Sequence, residues 1–189
     1  VAGRGIRLLR EKGLEVVAGV LRGECERQNE VFFHFMRTKL PFTVLKYAMT
    51  LDGKTATVSG KSQWITGEAA RKRVHEDRGR YMAILTGVST VLADNPQLTC
   101  RIPGGKNPIR VIADTKLRTP LSSTVVQTAR ETPTWIVTAV SDAGRKKAYE
   151  DAGCRVLSVP AKEGELDLQA MMQRLGEEKV DSVMVESGG

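Results

Sequence analysis

The chain has 189 residues, 41% hydrophobic and 27% charged, the balance of a globular protein, and no apolar run reaches membrane-span length. Its net charge of +7 and pI near 9.5 admit an anionic partner. The basic residues are scattered and no aromatic–basic repeat occurs, so a phosphorylated metabolite is the better reading and nucleic acid the minor one.

The opening, VAGRGIRLLREKG, is charged throughout and lacks the apolar stretch of a signal peptide; a cytoplasmic location is the default expectation. Cys25, Cys100 and Cys154 are far apart and form no CxxC, which argues against a disulfide framework and against zinc.

In chain order, residues 5–12 read as a helix end stopped by Gly13. LEVVAGV (14–20) reads as a short strand. Residues 23–38 read as a helix with Val31, Phe32 and Phe35 clustered. Pro41 breaks that pattern, and a domain boundary is expected near residue 40. FTVLKYAMTL (42–51) reads as a strand, and residues 67–80 as a helix with Thr66 as a candidate cap. MAILTG, IRVIAD, TWIVT, CRVLSV and DSVMVE are apolar strands. SDAGRKKAYEDAG and LDLQAMMQRLGEEK are helices between them, and RIPGGKNP is a surface loop. Such alternation predicts an α/β fold with a largely parallel sheet. Val1 opens on a loop and Gly189 follows directly on a strand, so both ends read as cut.

Ligands of open α/β sheets bind beyond the carboxyl ends of strands. Those ends are Thr86–Gly87, Asp114–Thr115, Thr138 and Glu186–Ser187–Gly188–Gly189, each weak evidence alone. In VSTVLADNP, Val88, Val91 and Leu92 fit one helical face while Thr90 and Asp94 share another. Asp94 also suits a plain turn. Lys46 shares a strand face with Phe42, Val44 and Ala48; it must be paired, snorkel or face a cleft, and an edge position would suit it too. Arg78 lies four residues after Val74, at the sheet rim, where a guanidinium can fork onto a phosphate; Arg101 has the same ambiguity between binding and solvation. GxGxxG, GxxxxGK[ST] and GxSxG are absent, and His75–Glu76 is not a metal spacing. Trp64 sits in a polar loop, where so large an aromatic is unusual.

LKYAMTLDGKTAT…SGKSQWITG, TGVSTVLADNPQLTCR, IRVIADTKLRTPL and SVMVESGG, in this order, resemble the reductase half of the bifunctional riboflavin-biosynthesis deaminase/reductase (RibD) family, and the resemblance covers the whole chain. It implies a dihydrofolate-reductase-like domain over 41–189, incomplete at its C-terminus, and a tail of the cytidine-deaminase-like domain over 1–40. It implies NADPH-dependent reduction of 5-amino-6-(5-phosphoribosylamino)uracil, with hydride delivered to the ribose C1′. The substrate contacts of the family fall on Ser62, Arg78, Leu98, Arg101 and Glu186. Its cofactor contacts fall on Ala48, Trp64, Thr90, Asp94, Thr115 and the Gly188–Gly189 turn. Asp94 is the expected acid near the ribose and Lys46 the second catalytic candidate. The Trp64 loop is expected to close over the site with its ring against the cofactor. Charge beside Thr115 makes Lys116 and Arg118 candidates for the 2′-phosphate of NADPH.

The zinc signature of the deaminase half, H-x-E…P-C-x-x-C, is absent, so no zinc and no deamination are expected. Homo-oligomerisation is expected of the complete protein. An inactive piece that only binds nucleotide or phosphorylated pyrimidine is the alternative.

Overall fold

The computed structural model describes residues 3–60, 62 and 64–186. Three short helices open the chain: α1 (Arg4–Glu11), α2 (Arg22–Gln28) and α3 (Glu30–Thr38), none with a buried residue. Two expectations fail here. Residues 14–20 form no strand, and the helix expected over 23–38 is broken at Asn29, whose side chain turns back to donate to the Cys25 carbonyl. That local bond competes with the helical ladder, as asparagine tends to do.

Strand β1 (Phe42–Lys46) follows Pro41, then helix α4 (Glu68–Arg80), strand β2 (Ala83–Gly87), helix α5 (Val88–Asp94) and strand β3 (Ile109–Ala113). The chain continues through helix α6 (Thr124–Gln127), strand β4 (Thr134–Thr138), helix α7 (Ala143–Asp151) and strand β5 (Arg155–Ser158). It ends with a small antiparallel pair, β6 (Ala161–Lys162) and β7 (Glu165–Leu166), helix α8 (Leu168–Glu177) and strand β8 (Ser182–Glu186). β1 is five residues long rather than ten: after Lys46 the chain leaves the sheet, and Thr50 turns it through bonds with Lys54. The N-cap of α4 is Gly67, not Thr66.

The six-stranded sheet runs β1-β8-β2-β3-β4-β5, with every described pair parallel. Strand alternation divides its residues between two layers. Ile84, Ile112, Ile136 and Met184 pack toward Val91, Val125, Val126 and Tyr149 of α5, α6 and α7. Ala83, Leu85, Val111, Val137 and Val183 pack toward Met171 and Leu175 of α8. This two-sided covering explains why the central strands are continuous apolar runs. β1 lies at the sheet edge, so Phe42, Val44 and Lys46 are half-buried while Thr43 and Leu45 are exposed.

Gly176 joins the opening segment to the sheet. A Cβ there would lie 2.0 Å from the Lys39 carbonyl oxygen, so α8 rests against the main chain just before β1.

Candidate active site

Parallel register sets Lys46 directly opposite Glu186 at the carboxyl ends of β1 and β8. Arg78, in the last turn of α4, reaches over the same point. Its Nε and Nη2 donate to the two Glu186 carboxylate oxygens, each at 2.8 Å. This is the paired fork that guanidinium geometry favours, and both side chains are largely buried. Lys46 Nζ lies 3.9 Å from Glu186 Oε2, which pairs the strand lysine. The remaining Arg78 nitrogen, Nη1, donates to the Thr99 carbonyl at 3.1 Å.

Thr99 belongs to a strap of residues 95–101 after α5. Asn95 (φ 41°) and Leu98 (φ 53°) bend it through the left-handed region, a costly conformation for leucine. The strap is held from below by Arg110, which is fully buried in β3. Its Nε donates to Thr134 Oγ1, its Nη1 to the Gln97 carbonyl and Thr128 Oγ1, and its Nη2 to the carbonyls of Val125, Thr128 and Thr132. Burial draws the Arg110 pKa down to about 10, still far above neutrality, so the group stays charged. From above, His75 on α4 approaches Thr99 and Arg101, and the Cys100 thiol donates to the His75 carbonyl. Arg101 itself is exposed. The rim therefore sets Arg78 and Lys46 around one carboxylate, with Arg101 tied to His75 on the same helix as Arg78, an excess of positive charge suited to a phosphate.

The strand ends on the far side of β2 are built from hydroxyls and main chain. Thr86 is buried at the end of β2 with an Oγ1 that meets no described partner, and a Cβ on the adjacent Gly87 would enter open space. Asp114 is fully buried; its Oδ2 accepts the main-chain N–H and the hydroxyl of Thr119, both at 2.7 Å, and so braces the loop after β3. The Thr115 hydroxyl donates to Glu165 Oε2 at 3.0 Å and accepts from the Leu166 N–H, which clasps the β6–β7 pair to the end of β3.

The expected residues thus fall into groups. Lys46, Arg78 and Glu186 meet directly, and the strap brings Arg101 alongside through His75. Leu98 lies in the strap, but its side chain is buried in the core with Val91 and Ile112, so a ligand contact there falls to its main chain. Thr90 is half-buried on α5; Asp94 is exposed at the end of that helix and Leu92 turns outward with it, away from Val88 and Val91. Ala48 is half-buried just past β1, and Ser62 is exposed. Thr115 closes onto the β6–β7 pair, and Lys116 and Arg118 are exposed beside it. Trp64 is 73% exposed with the Arg71 guanidinium 4.5 Å from its ring centroid. The ring thus stacks on a cation of α4. Gly188 and Gly189 lie outside the described residues.

Sequence reasoning missed His75, Thr99, Arg110 and Glu165. Arg110 carried a usable signal, a lone charge inside the apolar run IRVIA. The others act through the strap or through main-chain atoms, which residue types do not announce.

A parallel α/β sheet with a charged cluster at its strand ends is the architecture of a small-molecule enzyme domain. Residues 41–189 match the RibD C-terminal domain family, and the chain belongs to it. It is 50% identical over its whole length to riboflavin biosynthesis protein RibD of Actinobacillus pleuropneumoniae, of which it covers 50%. A solved deaminase/5-amino-6-(5-phosphoribosylamino)uracil reductase of Thermotoga maritima superposes with a TM-score of 0.80 at 37% identity, covering 99% of this chain and 50% of that one. A solved riboflavin biosynthesis reductase of Saccharomyces cerevisiae superposes at TM-score 0.60 and 26% identity, over 80% of this chain and 64% of that one. The chain spans about half the length of the curated relatives it matches.

Proposed function

We propose that residues 41–189 form a reductase domain that converts 5-amino-6-(5-phosphoribosylamino)uracil to its ribitylamino form with NADPH. The Lys46–Glu186–Arg78 cluster at the strand ends carries this reading, supported by the family match and by the reductase named among the solved relatives. Bound NADPH would supply the hydride. Arg78 and Arg101 provide the fixed positive charge for the ribose phosphate, and Glu186, held in the fork, accepts hydrogen bonds from the ligand. Asp94 is the proton donor near the ribose, with Lys46 as the second proton-handling group. Ala48, Trp64, Thr90, Thr115 and the Gly188–Gly189 turn line the nucleotide side, with Ser62 and Leu98 on the pyrimidine side. Lys116 and Arg118 serve the 2′-phosphate.

Residues 1–40 are the tail of a deaminase-type domain; helices α1–α3 bury no residue and the family match starts at 41. No step here uses zinc. The three free thiols and an NADPH requirement suit the cytoplasm, and the complete protein is a homo-oligomer with no nucleic-acid role. Among the described residues no helix is long and apolar enough to cross a membrane.

The test is substrate-dependent oxidation of NADPH, with NADH as control. Turnover that prefers NADPH is expected, and Asp94→Asn should abolish most of it. Saturable NADPH binding without turnover would instead favour the inactive binding piece, and Asp94→Asn turnover equal to the parent's would remove the acid role.

A further inference from the structure

His75 belongs to neither the ion-pair cluster nor the reaction as proposed, yet its ring meets the Thr99 carbonyl that Arg78 uses and the Arg101 main chain. It lies on α4 three residues before Arg78, hence on the same helix face. Its Nδ1 is 3.3 Å from the Arg101 main-chain nitrogen and 3.2 Å from the Thr99 carbonyl oxygen. One ring nitrogen cannot serve both neighbours. Unprotonated, it accepts from the Arg101 N–H. Protonated, it can only donate, and then it turns to Thr99 O, which Arg78 Nη1 already uses. The two bonds belong to two states of Nδ1: bare in the neutral Nε2–H tautomer, where it accepts from Arg101, and protonated in the Nδ1–H tautomer and in the imidazolium, where it donates to Thr99; the charged ring has only the second.

We propose that His75 is a positioning residue for Arg101: its neutral Nδ1 holds the Arg101 main chain at the substrate rim, and protonation of the ring releases it. The proposal rests on the reductase reading for its substrate.

The surroundings favour the holding state at neutral pH. Arg78 faces the ring from its own helix and Arg101 from the strap. Among the described residues Glu186 at the end of β8 is the one carboxylate acting on it, and its oxygens are already forked by Arg78. The Cys100 thiol bonds the His75 carbonyl rather than the ring. Burial first, then the two guanidinium groups, hold the imidazole pKa below its ordinary 6.5; the Thr99 bond and Glu186 oppose this. A neutral ring above that value, as its Nε2–H tautomer, accepts the Arg101 N–H, and the Arg101 cation stays in place at the substrate rim.

Two readouts separate this from a packing role. In the first, the Arg101 amide and the His75 ring are followed together by NMR through about pH 5 to 8, without cofactor or substrate. The Arg101 amide should shift with the His75 midpoint, and that step should vanish in His75→Asn, whose amide oxygen accepts but does not titrate. An Arg101 amide indifferent to the His75 titration would overturn the proposal. In the second, the substrate KM of the parent should rise about tenfold as pH falls through that midpoint. His75→Asn should keep a low KM without that limb, and His75→Leu should show the raised KM at every pH with the NADPH KM unchanged. The substrate phosphate titrates near pH 6, but equally in parent and variants, so only the difference between profiles is read. A His75→Leu profile superimposed on the parent's would also overturn the proposal. If the amide follows the ring but the parent never oxidises NADPH with this substrate, the coupling holds and the reductase reading falls.

Discussion

Two guanidinium groups are withdrawn from water in this fold, and they solve the same problem differently. Arg78, at the rim, meets a carboxylate in a two-bond fork. Arg110, in the core, meets six carbonyl and hydroxyl oxygens and, among the described residues, no ion-pair partner. A charge matched only by dipoles needs many of them, placed by several segments at once, and the result binds β3 to α6, the start of β4 and the strap. A charge matched by a countercharge needs one partner and leaves a nitrogen free for other work. The core solution builds structure; the rim solution keeps a site open to a ligand.

The sharpest way to break this contrast is Arg110→Met. It removes six donated bonds, three of them fully buried, and the expected loss is about 4 kcal/mol of unfolding free energy in a urea titration. Arg110→Lys should recover only part of it, because an ammonium has three donors for six acceptors. Arg78→Gln should show the opposite balance. Its kcat/KM for the pyrimidine substrate should fall about 100-fold, near 3 kcal/mol, while stability drops by about 1–2 kcal/mol because Lys46 still faces Glu186. A larger stability loss in Arg78→Gln than in Arg110→Met would erase the distinction. Lys46 is the next step down. With Nζ at 3.9 Å and a partly exposed side chain, Lys46→Met should leave stability within about 0.5 kcal/mol and lower kcat about tenfold. The smallest effect is expected of Trp64→Ala. It removes an exposed stack on Arg71 worth about 0.5 kcal/mol, measurable as a small shift in the denaturation midpoint.

Much of the fold was legible because buried parallel strands must be apolar on both faces. MAILTG, IRVIAD, TWIVT and DSVMVE each became an interior strand, and CRVLSV became β5 at the end of the row. Where that rule does not apply, the reading failed. Among the described residues LEVVAGV is as apolar as a strand but has no sheet beside it, and FTVLKYAMTL alternates past the point where β1 leaves its one neighbour, β8. The order of strands is not written in any single segment. The insertion of β8 between β1 and β2 comes from the chain crossing back over the sheet, and that crossing makes Lys46 and Glu186 neighbours. The rim placement of Arg78 followed from helical spacing, and the fork partner follows from topology. The bend at Asn95 is a helix C-cap of a residue type that favours the left-handed region; the bend at Leu98 could not be read, since Arg110 holds the preceding Gln97 carbonyl and the leucine packs into the core.

The placement of β8 has a consequence for synthesis. Arg78 and Glu186 are 108 residues apart, and Lys46 is farther still, so the rim cluster is among the most distant contacts in the chain. Such contacts form late, after the loop they close has been made. On a ribosome, the first strand, α4 and the β2–β5 portion emerge while Glu186 is still unmade. Until then Lys46 and Arg78 lack this carboxylate, and β1 has an empty place where β8 will insert. The nascent chain must therefore hold an unpaired strand and two cations in waiting, and the site comes into being when β8 arrives.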